Sequence, residues 1–159
     1  MRFSAYLCIF VNDNQGASLV ELSLLMPILL LLIVGAVDFG RAAYVGIEVE
    51  DAAHAGAEYG SLNPSNTTAI TTAAQQSAPN VANLIVSTPT WGCECSDGSS
   101  YSANCASPPT CTASSTRGSN LVHRVKVTTS SVYKPLLPWP GIPSSINLSS
   151  TAVVRGNYP

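Results

Sequence analysis

Residues 22–37 read LSLLMPILLLLIVGAV, with no charge among them. Carried back to Ala17, the segment holds a single charge, Glu21. At ~1.5 Å rise per residue, a helix of about 20 residues spans the ~30 Å of a bilayer core. A helix that is apolar on every side needs cover on every side, from lipid or from a large protein core. The remaining chain cannot supply such a core. Beyond residue 60 it is rich in Gly, Pro, Ser and Thr, and charged residues make up only 10% of the whole. A cleaved secretory signal is shorter and ends at a small-residue cleavage site. Here the apolar run is longer, and a helical pattern continues beyond it. We therefore read a single membrane span near the N-terminus, with the following domain outside the cytoplasm.

The continuation is patterned. Val45, Val49, Ala52, Gly56 and Tyr59 follow at alternating spacings of four and three, a narrow stripe of mostly small side chains. Glu48, Asp51 and Glu58 fall on another face, and Glu50 and His54 are an i,i+4 pair. Asp38 and Arg41 form an i,i+3 pair where the helix leaves the membrane. His54 reads as a solvated helix-face histidine. The pattern predicts one helix from about Ser18 to about Tyr59, stopped by Gly60, Asn63 and Pro64. Two residues break its rules. Pro27 removes one backbone hydrogen bond inside the apolar run. Glu21 is a carboxylate where a charge costs a few kcal/mol unless it is paired or near the interface.

Gly16, followed by Ala17-Ser18-Leu19-Val20-Glu21 and then the apolar run, resembles the processing site of type IV pilin-like proteins. The wider stretch GASLVELSLLMPILLLLIVGAVDFGRAAYVGIEVEDAAHAGAEYG, over residues 16–60, is similar to the N-terminal region of TadE-like proteins. These are minor pilins or pseudopilins of the tight-adherence (Flp) pilus system. Gly16 with Glu21, Pro27 and the Asp38-Phe39-Gly40-Arg41 block carry most of the likeness; LLPWPGI and INLSSTAVVRG near the C-terminus add to it. The resemblance implies cleavage between Gly16 and Ala17 by a prepilin peptidase. It also implies a role for Glu21 in subunit assembly. A buried carboxylate neutralised by a neighbour's amino terminus would set the register of packed helices. One departure stands out. Family leaders carry several basic residues before the glycine, whereas Asn12-Asp13-Asn14-Gln15 stand here and only Arg2 is basic, a weak positive-inside signal.

Downstream, residues 63–78 predict a short helix capped near Ser65 or Asn66 and ending before Pro79. Residues 84–90, 121–133 and 146–155 read as strands, rich in β-branched residues and bounded by Pro and Gly. In the second, Val122, Arg124, Lys126 and Thr128 alternate against His123, Val125 and Val127; His123, Arg124 and Lys126 read as a solvated strand face. The expected fold class is α+β: a long N-terminal helix on a small antiparallel sheet, pilin-like, with a thin core that Trp91 and Trp139 help fill. The domain layout follows: leader 1–16, transmembrane half-helix 17–37, amphipathic half 38–60, and an extracytoplasmic domain 61–159 with a cysteine loop at 91–120.

Cys93, Cys95, Cys105 and Cys111 sit in that loop. Four cysteines allow three pairings. A bridge across the one residue between Cys93 and Cys95 is strained, so we expect Cys93 and Cys95 to pair with Cys105 and Cys111, in an order left open. Such bridges would staple a loop with little apolar content, in an oxidising compartment. A metal site is the weaker reading, since the spacing lacks paired C-x2-C knuckles. Cys8 precedes the proposed cut. A net charge of −2 offers no basic footprint for nucleic acid. Neither histidine sits in a nucleophile setting, no phosphate-binding glycine loop is present, and no cofactor is implied.

The expected function is structural: a minor pilin or pseudopilin of the bacterial inner membrane that joins or primes a pilus-like filament. Its implied partners are other pilin-like subunits, the prepilin peptidase, an inner-membrane assembly platform, and lipid before assembly. The alternatives are a membrane-tethered binding module, with metal or ligand held by the cysteine loop, and a major filament subunit.

Overall fold

The computed structural model describes residues 17–111, 120–138 and 140–157. The expected leader with Gly16 and Cys8, part of the cysteine segment, and Trp139 lie outside the described residues. Helix α1 runs Ala17–Leu62, through Pro27 without a break in assignment. Its hydrogen-bonded ladder tolerates Pro27 at the loss of the one bond that the carbonyl of Ser23 would have accepted. Helix α2, Thr67–Ser77, starts at Asn66, whose side chain accepts from Ala69 N at 3.1 Å. That bond satisfies one of the otherwise open N–H groups of the first turn. Internal contacts divide the chain into Met1–Arg41 and Ala42–Pro159.

Among the described residues of the second unit, five strands form one antiparallel sheet: β1 (Ile85–Val86), β2 (Thr90–Cys95), β3 (Tyr101–Ser102), β4 (Leu121–Tyr133) and β5 (Ile146–Asn157). β4 is central. β5 pairs with it along its whole length, from Val122↔Asn157 to Tyr133↔Ile146. β1 and β2 share its other edge, and β3 pairs outside β2. A long N-terminal helix with a small antiparallel sheet is the α+β class expected from the sequence.

The stretch read as one strand over 84–90 is two strands with an offset. Val86 faces Thr129, yet Thr90 faces Lys126. Ser87, Thr88 and Pro89 therefore stand against only Thr128 and Val127, with Ser87 N donating to Thr128 O at 2.9 Å. One extra residue makes a bulge, a position that suits Pro89, which has no N–H to give the ladder. The extra residue flips the side-chain parity. Trp91, Cys93 and Cys95 turn to the inward face, opposite Val125, His123 and Leu121. The cysteine segment is thus strand in its first part, because pairing with β4 continues to Cys95.

The inward residues of β4 are His123, Val125, Val127, Thr129, Ser131 and Tyr133, all buried. They meet α1 through small residues. Ala53 and Ala57 cluster with Ile70, Val125, Val127 and Ala152, while Val49 and Ala52 cluster with Ala78 and Val81. Thr129 Oγ1 donates to Val49 O at 2.6 Å, which ties the sheet to the helix backbone. The buried stripe is broader than the sequence reading and differs at its end: Gly60 is buried, whereas Tyr59 is 37% exposed. At Gly60 an added Cβ would lie 2.7 Å from Val125 Cγ1 and 3.0 Å from Ile70 Cδ1. At Gly56 it would lie 3.0 Å from Ala74 Cβ and 3.2 Å from Val127 Cγ1. Only glycine lets α1 sit this close to both α2 and β4.

Gly60→Ala is therefore expected to destabilise the domain by ~1–3 kcal/mol, the range for overpacking. Gly46→Ala, where nothing lies within 4 Å of the new Cβ, should be neutral or stabilising by up to ~1 kcal/mol through helix propensity. Thermal unfolding of the full chain in detergent micelles checks the contrast.

Candidate functional site

Two regions carry chemistry. The first is the apolar half of α1. Leu19, Leu24, Leu29, Leu30, Leu31, Leu32 and Ile33 are all exposed, and none of the most apolar window is buried by the chain itself. Leaving one such side chain in water rather than buried costs ~1.5–3 kcal/mol. Repeated over the run, that penalty demands an apolar surrounding, and the helix is long enough to cross a membrane. Glu21 lies exposed on this surface one turn after Ala17. Pro27 is inside the same run. Asp38 is buried and its Oδ1 lies 4.0 Å from Arg41 Nη1, with the Arg41 side chain half exposed. The i,i+4 pair of Glu50 and His54 is also at 4.0 Å, with both side chains solvated.

The second region is the cysteine cluster at the far end of β2. Alternation along β2 points Cys93 and Cys95 to one face. Cys93 bridges to Cys105, with Cα atoms 5.4 Å apart, and Cys95 bridges to Cys111 at 5.5 Å. Both separations lie in the ordinary disulfide range. Between them the chain is held by short local bonds: Ser102 Oγ donates to Asn104 O at 2.9 Å, and Ala106 N donates to Asn104 Oδ1 at 3.0 Å. His123 faces Cys93 in register and is buried, which corrects its reading as a solvated strand residue. The one-residue bulge sets this pairing. His123 Nδ1 lies 3.8 Å from Cys93 Sγ and 3.9 Å from Cys105 Sγ, and its ring meets Trp91 edge-on at 6.1 Å between centroids. The ligand atoms of Cys93, Cys105 and His123 fall within 4.8 Å of one another. With the two sulfurs bonded to each other, neither is a thiolate, the form that binds a metal.

The opposite face of the same strands holds a charge cluster that the sequence reading missed. Glu94 is buried. Its Oε2 lies 3.0 Å from Arg124 Nε, and its Oε1 accepts from Arg155 Nη2. Arg124 and Arg155 are register partners on β4 and β5. Like charges directly across a sheet repel, and Glu94 sits where it can neutralise both. Arg124 also lies 5.1 Å from the centre of the Tyr101 ring, a cation–π distance. Arg124 is thus a paired residue and not a free, solvated one. The signal was present in the alternation: Glu94 lies between two inward cysteines, so it must point outward, on the same side as Arg124 and Arg155.

Comparison with known families bears on the first region. Residues 16–58 match the family model described as TadE-like protein. This segment is similar to TadE-like proteins. Among the described residues, one helix, α1, is long and apolar enough to cross a membrane. The match ends within α1, so the sheet and the cysteine cluster lie beyond the TadE-like segment. No curated protein and no solved structure matches the chain.

Loss of either bridge, by Cys105→Ser or Cys111→Ser, should cost ~2–4 kcal/mol of domain stability. Cleavage after Glu94, followed by mass-spectrometric fragmentation between Cys105 and Cys111, should recover the two pairs found here. Glu94→Gln keeps the shape but removes the neutralising charge between Arg124 and Arg155. It should destabilise by ~1–3 kcal/mol. Raising the salt from low to physiological strength should recover part of that loss, because half-exposed charges are screened. Urea unfolding at two salt concentrations reads both effects.

Proposed function

We propose that this protein is a minor pilin or pseudopilin of the Tad type, held in the inner membrane by the TadE-like segment until its helix packs into or primes a filament. The observation that carries the reading is an apolar helix surface, none of it buried by its own chain, with one carboxylate just inside its start. Lipid satisfies the leucines but not Glu21, whereas a neighbouring subunit's free amino terminus satisfies it well. After cleavage between Gly16 and Ala17, Glu21 is the fifth residue of the mature chain. On this reading residues 1–16 are a leader, 17–37 the span, 38–60 a packing helix and 61–159 the extracytoplasmic domain. The domain's bulk favours a minor over a major subunit, since the main pilins of Flp-type filaments are very short. The partners are other pilin-like subunits, the prepilin peptidase and the membrane assembly platform.

The grouping of Cys93, Cys105 and His123 favours a second reading, a tethered metal-binding module, only with the Cys93–Cys105 bridge open. Stoichiometric metal retained on the purified chain, with free thiols, would support it.

Intact mass measurement of the protein from its native membrane tests the first reading. The expected chain begins at Ala17 and is lighter by two protons for each bridge. A chain still carrying Met1 in cells with active prepilin peptidase would count against it. Breaking a buried ion pair by removing one partner costs ~3–5 kcal/mol. Glu21→Ala should accordingly leave membrane insertion intact while lowering filament incorporation by more than about tenfold. Normal incorporation removes the role assigned to Glu21.

A further inference from the structure

Among its described residues, the segment between β4 and β5, residues 134–145, leaves three large apolar side chains exposed: Leu136 at 54%, Leu137 at 46% and Ile142 at 49%. They gather with Pro135, Pro138 and Pro143 around one shallow recess. A proline-rich loop that displays leucines to water is an unfavourable choice for a free surface.

Its place in the domain says what covers it. Along α1, Val49 O is bonded to Thr129, Gly56 lies against Val127, and Gly60 lies against Val125. Rising numbers on the helix thus meet falling numbers on β4, and the two run side by side in opposite directions. From Val49 back to Ala42 is roughly 10 Å of helix. From Thr129 on to Tyr133 is roughly 13 Å of strand. The β4–β5 loop therefore lies at the end of the domain where α1 enters it. Only Asp38 to Arg41 separate Ala42 from Val37, the last residue of the apolar run. Whatever the angle between the two parts of the chain, this end is tethered beside the membrane surface. The cysteine cluster, paired near Leu121 and His123, lies at the other end of β4.

The loop's own charge agrees with the placement, although Glu48, Glu50 and Asp51 stand on α1 toward the same end. After Asp97 the chain contains no Asp or Glu, and exposed Lys134 opens the loop. A basic residue beside apolar ones suits a headgroup layer that carries phosphate and meets hydrocarbon below.

We propose that Leu136, Leu137 and Ile142 form a second membrane contact, dipping into the boundary between headgroups and acyl chains beside the helix that anchors the protein. The occupant is the bilayer surface. The proposal rests on the anchoring reading of α1. A second contact restrains the rotation of the domain about its helix, so that one face of the sheet keeps a constant relation to the membrane plane.

The test uses the full chain in vesicles of phosphatidylcholine and phosphatidylglycerol, in a Trp139→Phe background. One tryptophan is added in turn by Leu136→Trp, Ile142→Trp, Leu62→Trp or Leu30→Trp. Leu62 is exposed at the opposite end of the helix within the domain, and Leu30 reports the anchor itself. Emission added over the background is then measured with lipids brominated at shallow or deep acyl positions. Leu136→Trp and Ile142→Trp should be quenched at least about threefold more than Leu62→Trp, and more by shallow than by deep bromine, the signature of an interfacial depth of ~5–10 Å. Quenching no greater than that of Leu62→Trp, with Leu30→Trp quenched by deep bromine, overturns the loop contact and leaves the anchor standing. No quenching at Leu30→Trp overturns the anchor. A change at Leu136→Trp that ignores bromine but follows the protein-to-lipid ratio means that a second copy covers the loop, and it also overturns the proposal.

Discussion

The close approach of α1 to β4 at Gly56 and Gly60 is the constraint on which the rest of the domain depends. With a side chain at either position the helix would stand off, and Val125, Val127 and Ile70 would lose their shared core. Small residues permit the approach, but they also bury little apolar area of their own. The domain therefore rests on few large buried side chains. A directed bond, Thr129 to the Val49 carbonyl, adds to the hydrophobic contact that holds the core to the helix. A sheet supported in this way has limited strength to order segments that extend past the helix. That is where the two bridges and the Glu94 cluster are found. Ordering a residue costs ~1–2 kcal/mol of conformational entropy, and β3 with its flanking loops has little apolar surface to offset it. Covalent links and one neutralised pair of arginines do so instead.

The legible parts of the sequence were those with a strong period. The apolar run and the stripe after it gave α1 to within a few residues at each end, because every turn repeats the same signal. The alternation of residues 121–133 gave β4. What was not legible depended on a single residue of register. A bulge at Pro89 leaves no mark on composition, yet it decides which of Trp91, Gly92, Cys93, Glu94 and Cys95 face inward. Without it the cysteines looked like loop, His123 looked solvated, and Glu94 had no partner. The bridge order needed the same information, since it depends on where β2 ends and how β3 returns beside it. The end of the buried stripe was missed for a related reason. Tyr59 fits the spacing, but the close contact with Ile70 and Val125 has room only for Gly60.

The two faces of the β2 strand divide the work. Inward, Cys93 and His123 belong to a tightly filled cluster with Trp91 and Cys105. Outward, Glu94 joins β2 to both β4 and β5 through their arginines. Glu94 is therefore bonded across the sheet while its neighbours are bonded into the loop. The close packing of β3 explains why a glycine stands at position 92. Tyr101 and the Ser102 carbonyl pass close enough over it that no side chain fits, and the same approach brings Tyr101 beside Arg124.

The apolar half of α1 poses a problem that the domain does not solve. The large side chains there are exposed, with Val34 partly covered, so the surroundings must provide their cover. Lipid does this without direction, because one hydrocarbon neighbour is as good as another. A carboxylate and a proline in the same run are directional: Glu21 asks for a donor at one place, and Pro27 leaves the Ser23 carbonyl without its ladder partner. A helix meant only to hold a domain at a membrane gains nothing from either. A helix meant to exchange lipid for neighbouring helices gains a register mark from the first. From the second it gains a point where the backbone can bend to fit its neighbours. On the proposed pilin reading, the bilayer is then the state in which these demands are met least well, and the residues that fit the membrane worst are the ones that would favour departure from it into an ordered array of like helices.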